Sequence, residues 1–165
     1  MVKKDVMPVT KVAPAARLLR LWDRYGKRPG GNWLFARVIQ WAIPYTATAR
    51  PLVEEVRAGY ARVRMRDRRR VRNHLNSIHA IALANVGEFT GGLAMTATAA
   101  PTIRSILLKL EVEFLKKARG TVIAECHCTV PEVREPIDHV VNTVVRDAGG
   151  DEVARVRAVW RLSQV

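Results

Sequence analysis

The spacing of apolar residues along the chain changes from a helical repeat to a strand repeat. Before residue 50, apolar residues recur at intervals of about three to four positions, which predicts amphipathic helices over residues 14–25 and 32–43. After residue 60, apolar and polar residues alternate instead, a pattern typical of half-buried strands. This alternation predicts strands at residues 62–72, 105–115, 121–130, 137–147 and 153–162.

One segment interrupts the alternation, because residues 78–95 are apolar on nearly every face of a helix. A helix of this kind needs burial on more than one side, and a curved antiparallel sheet wrapped around it supplies that burial. The sequence therefore predicts an α+β fold with a long central apolar helix. We expect this domain to span residues 51–165, after an N-terminal helical arm of residues 1–50.

Charge narrows the choice of partners. The chain has 165 residues and a formal net charge of +13, carried mostly by arginine. A positive field of this size favours anionic partners, but it does not distinguish nucleic acid, anionic lipid and phosphorylated small molecules. The apolar segment at residues 32–44 is too short to span a membrane and contains Arg37 and Gln40. Because the N-terminus also lacks a signal-peptide pattern, we expect a cytoplasmic protein without a membrane span.

The two cysteines do not indicate a metal centre. Cys126 and Cys128 lie two residues apart in a predicted strand, so their side chains point to one face, which is apolar. Core packing explains this placement. A zinc site would need further Cys or His residues at ligand spacing, and the sequence has none there. We expect no metal and no cofactor.

A single carboxylate, Glu88, lies in the middle of the apolar helix. Its neighbours three and four positions away are the small or polar residues Ala84, Asn85, Gly91 and Gly92. Small residues around a carboxylate leave room for a ligand or water, so we expect Gly91 and Gly92 to line a substrate site. The alternative is an ordinary solvated glutamate on an exposed stripe of the helix.

The start of the same helix offers backbone donors. If the helix begins near residue 78, with Asn76 or Ser77 as its cap, the amides of residues 79–81 lack intrahelical partners. Together with the positive helix end they could stabilise a developing oxyanion, and we assign this role to the Ala80 amide. Ala80 and Glu88 are about 80° apart on the helical wheel, so we expect both to face one cleft.

An arginine stands at every even position of the first predicted strand, which has two interpretations. One is a solvated strand face. The other is a site that attracts the phosphates of a coenzyme A thioester through clustered guanidinium groups, with Arg64, Arg66 and Arg68 as substrate-binding residues. Nucleic-acid binding stays open as a third, weaker interpretation, but interleaved stacking aromatics are missing from this run.

Three residues carry a resemblance to a known family. In hotdog-fold acyl-CoA thioesterases of the phenylacetate-pathway type, an Asn is followed six residues later by a His and two glycines, and an acid lies nine residues after the His. Asn73, His79 and Glu88 stand at these spacings. The predicted order of strands and helix also resembles the hotdog fold, and the arm looks like the extension of a poorly characterised hotdog family. Ala80 and Ile81 replace the two glycines, and Glu88 replaces an Asp.

The resemblance implies hydrolysis of an acyl-CoA-type thioester without a cofactor, by a homodimer or a dimer of dimers. It implies that Glu88 is the general base or nucleophile and that Asn73 reaches from one subunit towards the acid of the other. It implies an orienting role for His79. No specific nucleic acid is expected as a partner. The alternative function is a non-catalytic hotdog protein that binds an acyl thioester as a sensor or carrier.

Overall fold

The computed structural model describes residues 12–26 and 28–165 of the chain. Residues 1–11 of the predicted arm, and residue 27, lie outside the described residues. The described part of the arm consists of α1 (Pro14–Leu21), a π-helical turn (Trp22–Gly26), α2 (Gly31–Ala42) and the short α3 (Pro44–Ala47). Proline begins both α1 and α3, where its missing N–H would have no intrahelical partner in any case.

The rest of the chain forms one six-stranded antiparallel sheet and one long helix, α4 (Ala80–Thr98). The strand order is β1-β2-β4-β5-β6-β3, and every neighbouring pair is antiparallel. The predicted α+β fold is therefore confirmed. The strands are β1 (Leu52–Arg57), β2 (Tyr60–Met65), β3 (Ile103–Phe114), β4 (Val122–His127), β5 (Ile137–Arg146) and β6 (Glu152–Gln164).

Helix α4 packs against all six strands of the sheet. The approach is close because glycines face the strands: a Cβ added at Gly87 would lie 2.4 Å from the Val156 side chain. The helix begins two residues later and ends three residues later than predicted. Its mainly apolar composition and its central position agree with the sequence analysis.

The prediction of a first strand over residues 62–72 was wrong in two respects. Strand β2 ends at Met65, and Arg69–Val71 form a 3-10 turn, so the alternating arginines do not continue along one strand. A separate strand, β1, precedes β2 and was missed. The two form a tight hairpin at Gly59, whose φ of +76° is a conformation that favours glycine.

The arm and the sheet share one hydrophobic core. Trp22, Phe35 and Ile39 of the arm are all buried, and the Trp22 and Phe35 rings meet edge to face with centroids 5.2 Å apart. The indole N–H of Trp22 donates a hydrogen bond to the Val56 carbonyl oxygen of β1 at 3.0 Å. No described helix is long and apolar enough to cross a membrane.

The predicted inward faces of β4 and β6 are confirmed, but β3 differs. In β3 the register shifts between Leu107 and Lys109, so the alternation changes phase at Leu108. Apolar side chains are exposed on both sides of this irregularity, with Ile106 53% and Leu108 48% exposed, because α4 covers β3 less than any other strand. Strand β3 is also an edge of the sheet, since β6 is its one partner among the described strands.

Candidate active site

Glu88 lies on the wall of a cavity of about 270 Å³ between α4, the arm and the sheet. We call it the Glu88 cavity. It differs from a solvated stripe of a helix, because most of its other lining side chains are apolar or carry one hydroxyl group. The lining residues are Leu19, Ile43, Thr46, Glu88, Phe89, Gly92, Leu93, Thr96, Ser105 and Trp160.

The environment of Glu88 favours a protonated carboxyl group. The side chain is half-buried, and this burial raises its pKa above the ordinary value for glutamate. Within the described part of the chain, no hydrogen-bond donor or cation partners its carboxylate to offset that effect. A carboxylate without a fixed partner and with increased basicity can accept a proton from a bound water.

The two glycines of the predicted site have different surroundings. Gly92 lines the Glu88 cavity, and a Cβ added there would meet the Trp160 ring at an ordinary contact distance of 3.6 Å. Gly91 instead faces the sheet: a Cβ there would lie 3.0 Å from Thr143 Oγ1 and 3.2 Å from Val141 Cγ1. Gly91 therefore serves helix–sheet packing and does not line the cavity, contrary to the expectation from the sequence.

The arm supplies part of the cavity wall, which sequence reasoning missed. Leu19, Ile43 and Thr46 come from residues before the sheet begins. Thr46 is buried, and its Oγ1 accepts a hydrogen bond from Asn85 Nδ2 of α4 at 3.2 Å. Asn85 lies one turn before Glu88, so this bond fixes the arm next to the carboxylate. No pattern in the sequence indicates these contacts, because they join segments far apart in the chain.

The first turn of α4 is capped by His79, not by Asn76 or Ser77 as predicted. Its ring Nδ1 accepts a hydrogen bond from the Ile81 N–H at 3.1 Å, and its carbonyl oxygen accepts from Ala82 and Leu83. The Ala80 N–H donates to no acceptor among the described residues. One backbone donor at the positive helix end is thus free for a ligand.

Asn73 has a structural role within its own loop. Its Oδ1 accepts hydrogen bonds from the Leu75 N–H at 2.9 Å and from the N–H and hydroxyl of Ser77 at 3.3 and 3.1 Å. The side-chain carbonyl therefore holds the turn that leads into α4. Its amide group makes no hydrogen bond to the described residues and can contact a ligand.

Within one chain, the predicted site residues do not meet in one cleft. Glu88 lines its own cavity, whereas His79 and Ile81 line a different one, which also contains Arg70 and Arg72. Ala80 and Glu88 are eight residues apart, so they are separated by about 12 Å along the helix axis. The helical wheel gives only their angular separation, so the prediction that both face one cleft would require parts of two chains.

Comparison with known proteins assigns the family. Residues 31–162 match the family described as "Domain of unknown function (DUF4442)". The chain belongs to this family. No curated protein matches the sequence of this DUF4442 chain.

Solved structures similar to this DUF4442 protein share its fold. A structural-genomics protein, APC5556, is 29% identical, with a TM-score of 0.78 over 92% of this chain and 99% of its own. A Pseudomonas aeruginosa protein, PA5026, called a probable thioesterase, is 21% identical, with a TM-score of 0.71 over 79% and 94%. A thioesterase family protein from Silicibacter pomeroyi is 16% identical, with a TM-score of 0.67 over 79% and 96%. These proteins share a fold in which an antiparallel sheet packs on one long helix, the hotdog fold that the resemblance implied.

The arginines predicted to bind substrate line a separate cavity of the DUF4442 domain. Arg64, Arg66 and Arg68 face a space of about 340 Å³ between α2 and the β1–β2 hairpin, which shares no lining residue with the Glu88 cavity. We call it the basic cavity. Arg64 Nε lies 2.7 Å from Glu54, and Arg62 Nε lies 3.0 Å from the same carboxylate. Arg64 and Arg68 are partly buried, whereas Arg66 is exposed and lies after the end of β2.

Both cysteines have the packing role expected of them, since Cys126 lies in the hydrophobic core and Cys128 packs against it. Cys126 is buried, Cys128 is partly exposed, and both are free thiols. Among residues 12–26 and 28–165, no group of three or more His, Cys, Asp or Glu side chains could hold a metal ion.

Proposed function

We propose that the chain hydrolyses an acyl thioester, with Glu88 as the general base or nucleophile. The observation that carries the proposal is Glu88 itself, a carboxylate of raised pKa on the wall of a largely apolar cavity. A base with this environment can activate water against a bound thioester, while the apolar wall accommodates the acyl chain. Solved structures of the same fold that are called thioesterases support this assignment.

The second component is an oxyanion donor, for which we propose the Ala80 N–H. It is unpaired within the described residues and lies at the positive end of α4. A donor placed there would stabilise the negative charge that develops on the thioester oxygen. We propose that two groups that precede Ala80 in the chain, His79 and the side-chain amide of Asn73, orient the thioester carbonyl and the water.

The distance between Ala80 and Glu88 leads to the proposal of a homodimer. A separation of about 12 Å prevents both from contacting one carbonyl group within one subunit. Two copies related by a twofold axis could bring the α4 start of one copy to Glu88 of the other. The edge strand β3 supports such an interface, because it exposes apolar side chains and an unpaired backbone edge. A dimer of dimers remains compatible with this arrangement.

The proposed thioester carrier is coenzyme A, whose phosphates suit the net charge of +13. Two further expectations stay predictions. They are the cytoplasmic location and the division of the chain into an arm of residues 1–50 and a domain of residues 51–165. The family match begins at residue 31, inside the arm.

One observation favours the alternative of an acyl-thioester-binding protein without catalysis. The Ile81 N–H is already bound to His79, which leaves a single free amide at the helix start. Removing one oxyanion donor typically lowers kcat by about 10²- to 10³-fold, so a site with one donor would be slow. Turnover of a panel of acyl-CoA substrates separates the two functions.

The test of the proposal is Glu88→Gln, which keeps the shape of the side chain and removes its basicity. We expect the variant to fold and to lose at least about 10²-fold in kcat on its best thioester substrate. Glu132→Gln is the matched control, because the Glu132 side chain is 74% exposed and does not line the Glu88 cavity. Wild-type turnover by the Glu88 variant would show that this carboxylate is not catalytic.

A further inference from the structure

The basic cavity collects more positive charge than the chain neutralises. Five arginines line it, together with Trp33 and Gln40 of α2. Arg64 is paired with Glu54, which Arg62 also contacts, and Arg62 has a second acid in Glu125, but no acidic residue among those described lines the cavity itself. The arginines of the cavity are Arg37, Arg50, Arg64, Arg66 and Arg68.

Arg68 is fixed at the back of this cluster. Its Nη2 donates hydrogen bonds to the carbonyl oxygens of Ala49 at 2.9 Å and Arg50 at 3.2 Å. Its Nε is buried and has no partner among the described residues. The pKa of Arg68 is lowered by burial and by the charges of Arg50 and Arg66. An anion in the cavity would relieve both the repulsion and the missing hydrogen bond.

The backbone beside Arg68 also adopts an unusual conformation. Arg50 has a φ of +46°, in the left-handed region that residues with side chains seldom occupy. Such a conformation persists where the surrounding structure imposes it, and it often marks a functional site. Here it accompanies the two carbonyl groups that hold Arg68, and the Arg50 side chain lines the same cavity.

We propose that the basic cavity binds the phosphate groups of a nucleotide, with Trp33 stacking on the base. Guanidinium groups match phosphate oxygens in geometry and charge. Trp33 lies at the rim with 64% of its surface exposed, and the Arg37 guanidinium lies 6.0 Å from its ring centroid. The space of about 340 Å³ is within the usual range for small-molecule sites.

This inference goes beyond the proposed hydrolysis, because it needs neither Glu88 nor a thioester. A nucleoside diphosphate could come from two sources, as the nucleotide part of coenzyme A or as a free nucleotide. Both present the same chemistry to the arginines and to Trp33. A single-stranded nucleic acid would need several stacking aromatics along a groove, and an anionic membrane would need an open basic surface. A concave cavity with one aromatic side chain fits a single nucleotide better.

The experiment is calorimetric titration of the full chain at low salt with ADP, coenzyme A, inorganic pyrophosphate, adenosine and pantetheine. We expect ADP and coenzyme A to bind at least about tenfold more tightly than adenosine and pantetheine, which lack the nucleotide phosphates. Trp33→Ala should weaken the binding of ADP by about fivefold or more. The affinity for pyrophosphate should stay unchanged, because pyrophosphate has no base that could stack on the ring.

Charge controls separate a built site from a general positive field. The double variant Arg37→Gln/Arg66→Gln removes two charges from the cavity and should weaken ADP about tenfold or more. Lys117→Gln/Arg119→Gln removes two exposed charges from the β3–β4 loop and should leave ADP affinity unchanged. An equal loss in both double variants would overturn the proposal.

Two further results would also overturn the proposal: no binding of ADP and coenzyme A, or binding only to RNA or to vesicles containing anionic lipid.

Inhibition assays distinguish the two sources of the nucleotide once binding of ADP has been measured. If the site holds the nucleotide of coenzyme A, ADP should raise KM for acyl-CoA and not for acyl-pantetheine. If ADP binds without changing either KM, the site takes a free nucleotide. Failure of the proposed hydrolysis would leave the calorimetric result unaffected.

Discussion

The beginning and the middle of α4 contrast in how their polar groups are partnered. At the beginning, the His79 ring accepts a hydrogen bond from the Ile81 N–H. Asn73 holds the preceding turn by accepting three hydrogen bonds. In the middle, Glu88 has no polar partner among the described residues and lines an apolar cavity. The start is therefore organised by hydrogen bonds, whereas the middle keeps a carboxylate unpaired.

This difference shows how one helix can supply the two parts of a catalytic site, a hydrogen-bond donor at its start and a base in its middle. A donor that must point at a developing charge benefits from a rigid backbone, since no reorganisation is then needed during the reaction. A base benefits from partial burial, because loss of solvation raises its pKa and its proton affinity. Since the two halves are about 12 Å apart on one helix, each would serve a different copy of the site in a dimer.

The largest expected effect is the return of activity in mixed dimers, in which one subunit supplies the Ala80 N–H and the other supplies Glu88. Ala80→Pro removes the proposed oxyanion N–H at the first helical position, where proline is well tolerated. The backbone of His79, with φ −64° and ψ 140°, already suits a following proline. Mixed in equal amounts with Glu88→Gln and allowed to exchange subunits, the two inactive variants should regain about a quarter of wild-type activity.

That recovery depends on sites built from two subunits. Ala80→Gly, which keeps the N–H, should remain active and serves as the control for the proline variant. If exchange is verified by differently tagged subunits and no activity returns, the proposed site shared between subunits is wrong.

An intermediate effect should follow from narrowing the Glu88 cavity. The cavity has a volume of about 270 Å³, so one methyl group added to its wall reduces the space that is open to an acyl chain. Gly92→Ala places a methyl group in this space without displacing Trp160. We expect kcat/KM for the longest accepted acyl chain to fall about tenfold, while acetyl-CoA is unaffected.

Gly91→Ala is the matched control, since it is the same substitution on the face towards the sheet. Its Cβ would meet Thr143 Oγ1 at 3.0 Å, so it should lower the free energy of unfolding by about 1 kcal/mol. The acyl-length profile should not change. A shift of this profile in the Gly91 variant and not in the Gly92 variant would place the acyl chain elsewhere.

The smallest effect concerns the pH dependence of stability. Burial raises the pKa of Glu88 in the folded state, so its protonated form stabilises the fold below the ordinary glutamate pKa of about 4.5. This contribution is lost as pH rises through the raised folded pKa. The free energy of unfolding of Glu88→Gln should therefore increase relative to wild type across that window and then stay constant.

Urea unfolding of both proteins at a series of pH values measures this difference, and groups common to both cancel. The acid limb of kcat/KM should also lie above the range of an exposed glutamate, because the base must be deprotonated. A stability difference that does not change with pH would mean that Glu88 is solvated in the folded protein.

Local patterns predicted much of this fold because they report burial directly. The alternation in β6 correctly placed Val156, Ala158, Trp160 and Leu162 inward, and the apolar run correctly gave a central helix. The same rule failed for β3, where Leu108, Leu110 and Phe114 of the predicted inward face are exposed because α4 covers little of this edge strand. Strand β1 was missed because a bulge between Val53 and Glu55 puts two glutamates side by side, which breaks the alternation of apolar and polar residues.

The candidate site was less predictable, because its walls come from distant segments. Glu88 could be identified from its own helix, as a carboxylate among apolar residues. Leu19 and Thr46 line the same cavity only because the arm folds back over α4, and no local spacing records that contact. The alternating arginines misled for a related reason: their spacing resembled a strand, but the chain turns after Met65.

The hydrogen bond at the start of α4 also determines the tautomer of His79. A ring nitrogen that accepts a hydrogen bond carries no proton, so in the neutral imidazole the proton resides on Nε2 while Nδ1 accepts from Ile81. In this form Nε2 can donate to a carbonyl or a water, but it has no lone pair with which to take up a proton. Proton abstraction in the proposed reaction is therefore left to Glu88, and His79 acts as a donor of fixed direction.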